Sequence, residues 1–131
     1  MYYTYEFQTE YEEMRSLDSE LLDAIAKSDV ENGLAVIYSP HTTMGITINE
    51  NADPDERRDI LLGMKYISPD RGEYYHLEGN SPAHIKTSLM GVSATIFVED
   101  GKPVLGTWQT PYACEFDGPR TRRVLIKIIK E

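Results

Sequence analysis

The sequence predicts a single α+β domain, residues 1–131, built as a mostly antiparallel sheet or sandwich with three helices inserted between its strands. Three observations predict it. Near both ends of the chain, apolar and polar residues alternate with a period of two, as in strands with one covered face. Between them, three stretches carry helical periodicity or helix start and stop signals. Asp100-Gly101, set between two extended runs, is a residue pair suited to a tight type I′ turn. At 131 residues and 40% hydrophobic content the chain can build one real core but not two, and it has no internal repeat, low-complexity tract or linker.

Tyr3, Tyr5, Phe7 and Thr9 alternate with Thr4, Glu6 and Gln8 and give the first strand. From Asp18 the period lengthens. Leu17, Leu21 and Ile25, with Leu22 and Ala26 beside them, share one face of a helix from about Ser19 to Asp29, and Asn32-Gly33 supplies its stop. Leu34 to Tyr38 is a continuous apolar run and predicts a well-covered strand; after Pro40-His41-Thr42-Thr43, Gly45 to Asn49 is extended again. Asp53-Pro54-Asp55-Glu56 is the strongest local signal: a capping carboxylate, proline in the first turn and a glutamate where a capping box wants it. That helix turns Ile60, Leu61 and Met64 inward and ends before Pro69, leaving residues 69–75 as an exposed loop. Ser81-Pro82 reads as an N-cap followed by a first helical proline, so Pro82 to Met90 is a third helix, ended by Gly91. Ser93 to Glu99 and Pro103 to Gln109 flank Asp100-Gly101 as a hairpin, and Arg122 to Ile129 is a last strand with Val124, Ile126 and Ile128 on one face.

The net charge of −9, from 22 acidic and 13 basic residues, excludes a broad phosphate-backbone-binding face, so no nucleic-acid partner is expected. Arg120, Arg122, Arg123, Lys127 and Lys130 nevertheless crowd the C-terminal strand and leave a local anion site open. No apolar run approaches the roughly 20 residues that span a bilayer, and Met1 to Glu6 has neither the basic nor the apolar region of a signal peptide. No membrane partner is expected. The single Cys114 permits no internal disulfide, which suits a cytoplasmic protein; a small half-buried thiol is its plainer reading, a nucleophile the sharper one.

The chain has three histidines, His41, His76 and His84. Two of them bracket Leu77-Glu78-Gly79-Asn80-Ser81-Pro82-Ala83, with His84 in the first turn of the third helix; His41 follows the Leu34 to Tyr38 strand. Imidazole is both the usual general base near neutral pH and the commonest neutral metal ligand. Convergence of the three would make a three-imidazole site, although their spacing matches no standard zinc pattern and unrelated surface histidines would look the same in sequence.

Ser93, Ile96, Val98 and Gly101, leading into Gly106-Thr107-Trp108-Gln109, resemble the signature of the YjbQ-like family, also called the secondary thiamine-phosphate synthase family. His41-Thr42-Thr43, Asn49-Glu50, His76, Asn80, Ala83-His84, Gly91 and Glu115-Phe116-Asp117-Gly118-Pro119-Arg120 stand in that family's order, so the resemblance covers essentially the whole chain. Pro111 departs from it, where the family usually has an aliphatic residue. The resemblance implies a compact fold of mainly antiparallel strands, a homotrimer, and a pocket lined by His41, His76 and His84. It also implies formation of thiamine phosphate from hydroxymethylpyrimidine diphosphate and thiazole phosphate, held in the family as a secondary activity.

That reaction expels pyrophosphate and needs charge neutralisation more than a base. His41, His84, Glu50 and Arg120 are the candidate catalytic residues. Thr42, Thr43, Asn80, Thr107, Trp108, Gln109, Glu115 and Arg122 are the candidate substrate contacts, with Arg120 and Arg122 as phosphate clamps, Trp108 stacking on the pyrimidine and Gln109 bonding its edge. Plainer readings stand beside these: Arg120 paired only with Glu115 or Asp117, Trp108 in core or interface, Glu50 and Asp59 as solvated carboxylates. The cofactor expectation divides. Magnesium would come with a diphosphate substrate and prefers oxygen ligands, whereas His41, His76 and His84 together would suit zinc and suggest a hydrolase. A non-catalytic metal or metabolite binder is the remaining alternative.

Overall fold

Every strand pairing in the computed structural model, which describes residues 1–131, is antiparallel. The chain runs through β1 (Tyr3–Gln8), β2 (Glu13–Ser16), α1 (Asp18–Ser28), β3 (Gly33–Tyr38), β4 (Met44–Glu50), α2 (Pro54–Ile67) and α3 (Ser81–Met90). It finishes with β5 (Ser93–Glu99), β6 (Lys102–Pro103), β7 (Gln109–Glu115) and β8 (Thr121–Lys130). Five strands form one sheet in the order β1-β8-β3-β5-β6, and three form a second in the order β2-β7-β4. The predicted α+β architecture is the one observed, with three helices among the strands.

The main core lies between the sheets. Ala35, Ile37, Ile96, Val98, Val124 and Ile126 come from the five-stranded sheet, Met44, Ile46 and Ala113 from the three-stranded one, and the Leu17, Leu21, Ile25 stripe of α1 completes it. Register follows from burial. Ile126 of β8 stands opposite Tyr3 on one side and Ile37 on the other, so slipping either neighbour by one residue would turn its apolar face to water. A smaller core, Met14, Tyr112, Cys114 and Phe116, covers the other face of β7 and receives Ala83 of α3 with Ile60, Leu61 and Met64 of α2.

Local chemistry explains the helix ends. Asp53 caps α2 by accepting from the Asp55 amide at 2.9 Å, with Pro54 in the first turn. α1 ends when Asp29 adopts φ 56°, three residues before the Asn32-Gly33 expected to stop it. α3 begins at Ser81, so the cap position falls to Asn80 and not to Ser81; the Asn80 amide makes no cap bond and donates to Asp117 instead. Asp100 and Gly101 both have positive φ, as the type I′ turn requires.

Three strands differ from expectation. β2 is only four residues long and carries no readable alternation. The second arm of the Asp100-Gly101 hairpin is the two-residue β6, and Gln109, expected to close that arm, opens β7 in the other sheet. Residues Thr110 to Glu115 are buried in succession, because β7 is the middle strand of its sheet and is covered on both faces. Pro111 is tolerated there beyond the end of the β2 ladder, where its carbonyl accepts from the Leu17 amide at 2.8 Å.

Candidate functional site

The end of β3 is tied to the segment after α3. The Ser39 amide donates to the Val92 carbonyl at 2.8 Å and the Ile46 amide to the Gly91 carbonyl at 3.0 Å. Gly91 turns the chain out of α3 at φ 92°, a conformation that favours glycine. Gly45 permits the close approach, since a Cβ there would meet the Gly91 carbonyl oxygen at 2.9 Å. These ties hold open a cavity of about 460 Å³ between the β3–β4 loop and α3, with His41, Thr42, His84, Thr87 and Ser88 on its walls. No Asp, Glu, Lys or Arg lines it.

His41 is fixed by the neighbouring strand. The Arg123 amide of β8 donates to His41 Nε2 at 3.0 Å, so the neutral ring carries its proton on Nδ1. Burial, followed by the charges of Arg122 and Arg123, holds its pKa below the ordinary histidine value. The pocket thus presents a neutral imidazole near pH 7. Arg123 makes no ion pair, and its side chain is exposed next to His41. His84, in the first turn of α3, meets His76 edge to face, with ring centroids 5.2 Å apart and planes at 80°.

The histidines therefore form two pairs instead of one centre. His41 and His84 share the pocket, His84 and His76 share a ring contact, and His76 does not line the pocket. No group of three or more His, Cys, Asp or Glu side chains is placed to hold one metal ion. The residues of a single chain do not fit the expected three-imidazole zinc centre, because the Arg123 amide engages His41 Nε2 and His76, though it meets the His84 ring, does not line the pocket that His41 and His84 share.

A family model described as UPF0047 protein YjbQ-like matches residues 3–131. The chain belongs to this family. A UPF0047 protein of Methanocaldococcus jannaschii is 51% identical over 130 residues, 98% of this chain and 94% of that one. YugU, a UPF0047 protein of Bacillus subtilis, is 47% identical over 122 residues, 92% of each. A crystal structure of a YjbQ/UPF0047 family protein from Clostridium acetobutylicum superposes with a TM-score of 0.94 at 51% identity, covering 97% of this chain and 99% of that one. A protein from Aeropyrum pernix superposes with a TM-score of 0.93 at 30% identity, covering 100% and 99%.

Several residues that the family resemblance implicated as substrate contacts prove to be built into the scaffold. Arg122 is buried on β8 and pairs with the buried Glu115 of β7, with Nε at 2.7 Å from Oε1. Its Nη2 also donates to Thr43 Oγ1 at 2.7 Å. Burial alone would raise the Glu115 pKa, but the Arg122 guanidinium, the Thr9 hydroxyl and the Asp117 amide outweigh it and hold the carboxyl below its ordinary value. Arg122, Glu115 and Thr43 thus form a buried internal network beneath His41, in which Nε and Nη2 of Arg122 are both engaged. Arg120 donates to the Asp117 carboxylate at 2.9 Å and carbonyl at 2.7 Å, and Asp117 also accepts from Asn80 at 2.7 Å. This chain ties the β7–β8 link to the start of α3.

The other motif residues stand elsewhere. β4 is seven residues long, Met44 to Glu50, about 20 Å from first to last at the usual strand rise, so Glu50 lies far from His41. Trp108 is next to Glu50 and not to the histidines: its carbonyl accepts from the Asn51 amide at 2.9 Å, and the residue is 63% exposed. Gln109 uses its side-chain oxygen to accept from the Gly106 amide at 2.8 Å, closing a turn around Thr107. Asp59 is an exposed residue of α2 beside Arg58. Cys114 is buried, and burial pushes its thiol up to about 12, which leaves no thiolate for nucleophilic chemistry. No helix is long and apolar enough to cross a membrane.

The sequence placed Arg123 in a basic cluster without singling it out from Arg120 and Arg122, and it gave no sign of Ser88 or Thr87. For Arg123 the signal was present: on β8 it has the opposite parity to Val124 and Ile126, so it must face outward. Thr87 and Ser88 carried none, being ordinary polar residues within a helix.

Proposed function

We propose that this protein joins hydroxymethylpyrimidine diphosphate to thiazole phosphate with release of pyrophosphate, holding the pyrimidine in the pocket between His41 and His84. The observation that supports this reading is a pocket without charged walls beside one unpaired guanidinium, Arg123. A neutral ring suits the first and a diphosphate the second. In the reaction the bond from the benzylic-type carbon to the diphosphate oxygen breaks, its electron pair leaves with pyrophosphate, and the thiazole nitrogen forms the new carbon–nitrogen bond. Arg123 would offset charge on the leaving group, together with magnesium arriving on the diphosphate. His41 Nδ1–H and the His84 ring would orient the pyrimidine through hydrogen bonds.

A homotrimer belongs to the same proposal. The face of the five-stranded sheet turned away from the core carries exposed Tyr38, Phe97, Val104 and Ile129, and a cleft of about 520 Å³ runs along it. Tyr38 lies on this face and also on the wall of the histidine pocket. Trp108 and Glu50, too distant within one chain, would come to the pocket from a neighbouring copy.

The test is direct. Purified protein given both precursors and magnesium is expected to form thiamine phosphate, and His84→Ala to abolish it. No product above a heat-killed control, with no complementation of a strain lacking its main synthase, overturns the reading. The second reading, a metal-dependent hydrolase, draws on the His76–His84 pair, which supplies two of the donors a zinc site needs. Zinc near one per chain in protein purified without added metal would favour it, and tight precursor binding without turnover would favour a binder.

A further inference from the structure

α3 carries His84 in its first turn, but the backbone ties that hold the pocket open meet it at the other end. Gly91, whose carbonyl accepts from the Ile46 amide, stands about 10 Å along the helix from His84 at the usual rise. The start of α3 is fastened separately. Asn80 occupies the cap position, where an asparagine oxygen ordinarily accepts from an amide of the first turn. Here it makes no cap bond. Its Nδ2 donates to Asp117 Oδ2 at 2.7 Å, and its Oδ1, the atom that would cap, is buried without a partner. A helix start arranged this way is less stable than one capped locally, so the bond to Asp117 is kept against local preference. From Asp117 an unbroken path reaches the opposite wall of the pocket. The Asp117 amide donates to Glu115 Oε2 at 2.9 Å, Arg122 Nε to Glu115 Oε1 at 2.7 Å, and Arg122 Nη2 to Thr43 Oγ1 at 2.7 Å. Thr43 is two residues from His41, whose ring is held by the amide of Arg123. At the α3 end, the Asn80 carbonyl accepts from the Ala83 amide at 3.0 Å and the His84 amide at 3.3 Å.

We propose that Asn80 and Asp117 are positioning residues: through the buried Glu115–Arg122 pair they set how the His84 ring stands relative to His41, and neither bonds the ligand. This rests on His41 and His84 being the walls of the working site, as proposed above, but not on the reaction. Other contacts hold α3 to different partners. Ala83 packs in the smaller core, the Ser68 hydroxyl donates to the Pro82 carbonyl at 3.2 Å, and Lys86 pairs with Glu12 at 3.1 Å. The Asn80 side chain is its hydrogen bond to the network beneath His41. Glu115 and Arg122 are 0% and 5% exposed, so water does not compete for the middle of the path. Arg120 holds the Asp117 carboxylate from the solvent side at 2.9 Å. A small change in the angle between two rings that grip one ligand weakens both contacts, so a distant tie of this kind bears directly on affinity.

The experiment compares wild type, Asn80→Ala, Thr43→Val and the exchange of Asn80→Asp with Asp117→Asn, which swaps donor and acceptor across the same bond. Imidazole signals are followed by NMR without ligand, which three histidines make simple to assign, and hydroxymethylpyrimidine binding is measured by calorimetry. Asn80→Ala, at the α3 end of the path, is expected to move the His41 signals as well as those of His84. Thr43→Val, at the other end, is expected to move those of His84. A residue that only steadied its own helix would leave the far ring untouched. Asn80→Ala should also bind the pyrimidine about tenfold more weakly or worse, and the exchange should restore both signals and affinity towards wild type. Should Asn80→Ala not fold, Thr43→Val carries the same test on His84. Far-ring signals that stay at their wild-type positions in the folded variants overturn the inference, as does an exchange that folds but restores nothing. Should the wild type bind no pyrimidine, the imidazole signals alone decide. If the rings move together and the exchange restores them, yet no thiamine phosphate forms, the reaction falls and this inference stands.

Discussion

The main-chain amide of Arg123 donates to Nε2 of His41 across 3.0 Å, so the strand that buries Arg122 also sets the tautomer of the pocket's imidazole. Protonating Nε2 would break this bond and place a cation between two arginines. The folded pKa accordingly lies below the ordinary 6.5, for reasons of burial first and arginine charge second. The unfolded chain then takes up a proton before the folded one does. The stability contributed by neutral His41 is complete above about pH 6.5 and is lost as pH falls through the lower folded value. His41→Gln keeps an acceptor for the Arg123 amide but does not titrate. Melting curves between pH 7.5 and 5 should show wild type losing more stability than His41→Gln, while Glu115 acts only lower, below its ordinary 4.5. Superimposable pH profiles would rule this out.

Arg122 and Glu115 should behave as scaffold. Removing one member of a buried pair strands the other's charge, a loss of about 3–5 kcal/mol, so Arg122→Ala should shift urea unfolding strongly. Arg120 is nearly half exposed and pairs at the surface with Asp117, so Arg120→Ala should cost about 1 kcal/mol or less. Replacing the buried pair together, as Arg122→Met with Glu115→Leu, should recover much of the loss. Equal and small effects of the two alanine variants would contradict the network described.

How far the sequence spoke for itself can be judged from β8. Val124 and Ile126 announce the inward face, and by the same parity Arg122 had to be inside and Arg123 outside. Judging the arginines by charge alone, as phosphate clamps, passed over that pattern. α2 was fully legible because Asp53 and Pro54 act on atoms a few residues away. β7 was not, since a strand covered on both faces has no alternation to display, and β2 is too short to show any. The site was legible only in part. His41 and His84 meet through ties between β3, β4 and the segment after α3, which are long-range register effects invisible in local spacing. Trp108 carries no local mark of the end of β4 at which it stands.

That separation supplies the strictest test of the proposed trimer. If the working site takes His41 and His84 from one copy and Trp108 from the next, no single chain contains a whole site. His41→Ala and Trp108→Ala proteins would each be inactive, for different reasons, while both still fold and assemble. Co-expressing the two should produce mixed trimers in which some boundaries join an intact histidine pocket to an intact Trp108. Activity should then return to a fraction of wild type, and it should fall again when each variant is refolded separately before mixing. Phe97→Glu, placed on the uncovered sheet face, should give a monomer mass by light scattering and no activity. Restored activity in a monomeric preparation, or none from mixed trimers shown by mass to contain both variants, would place the whole site within one chain and exclude Trp108 from it.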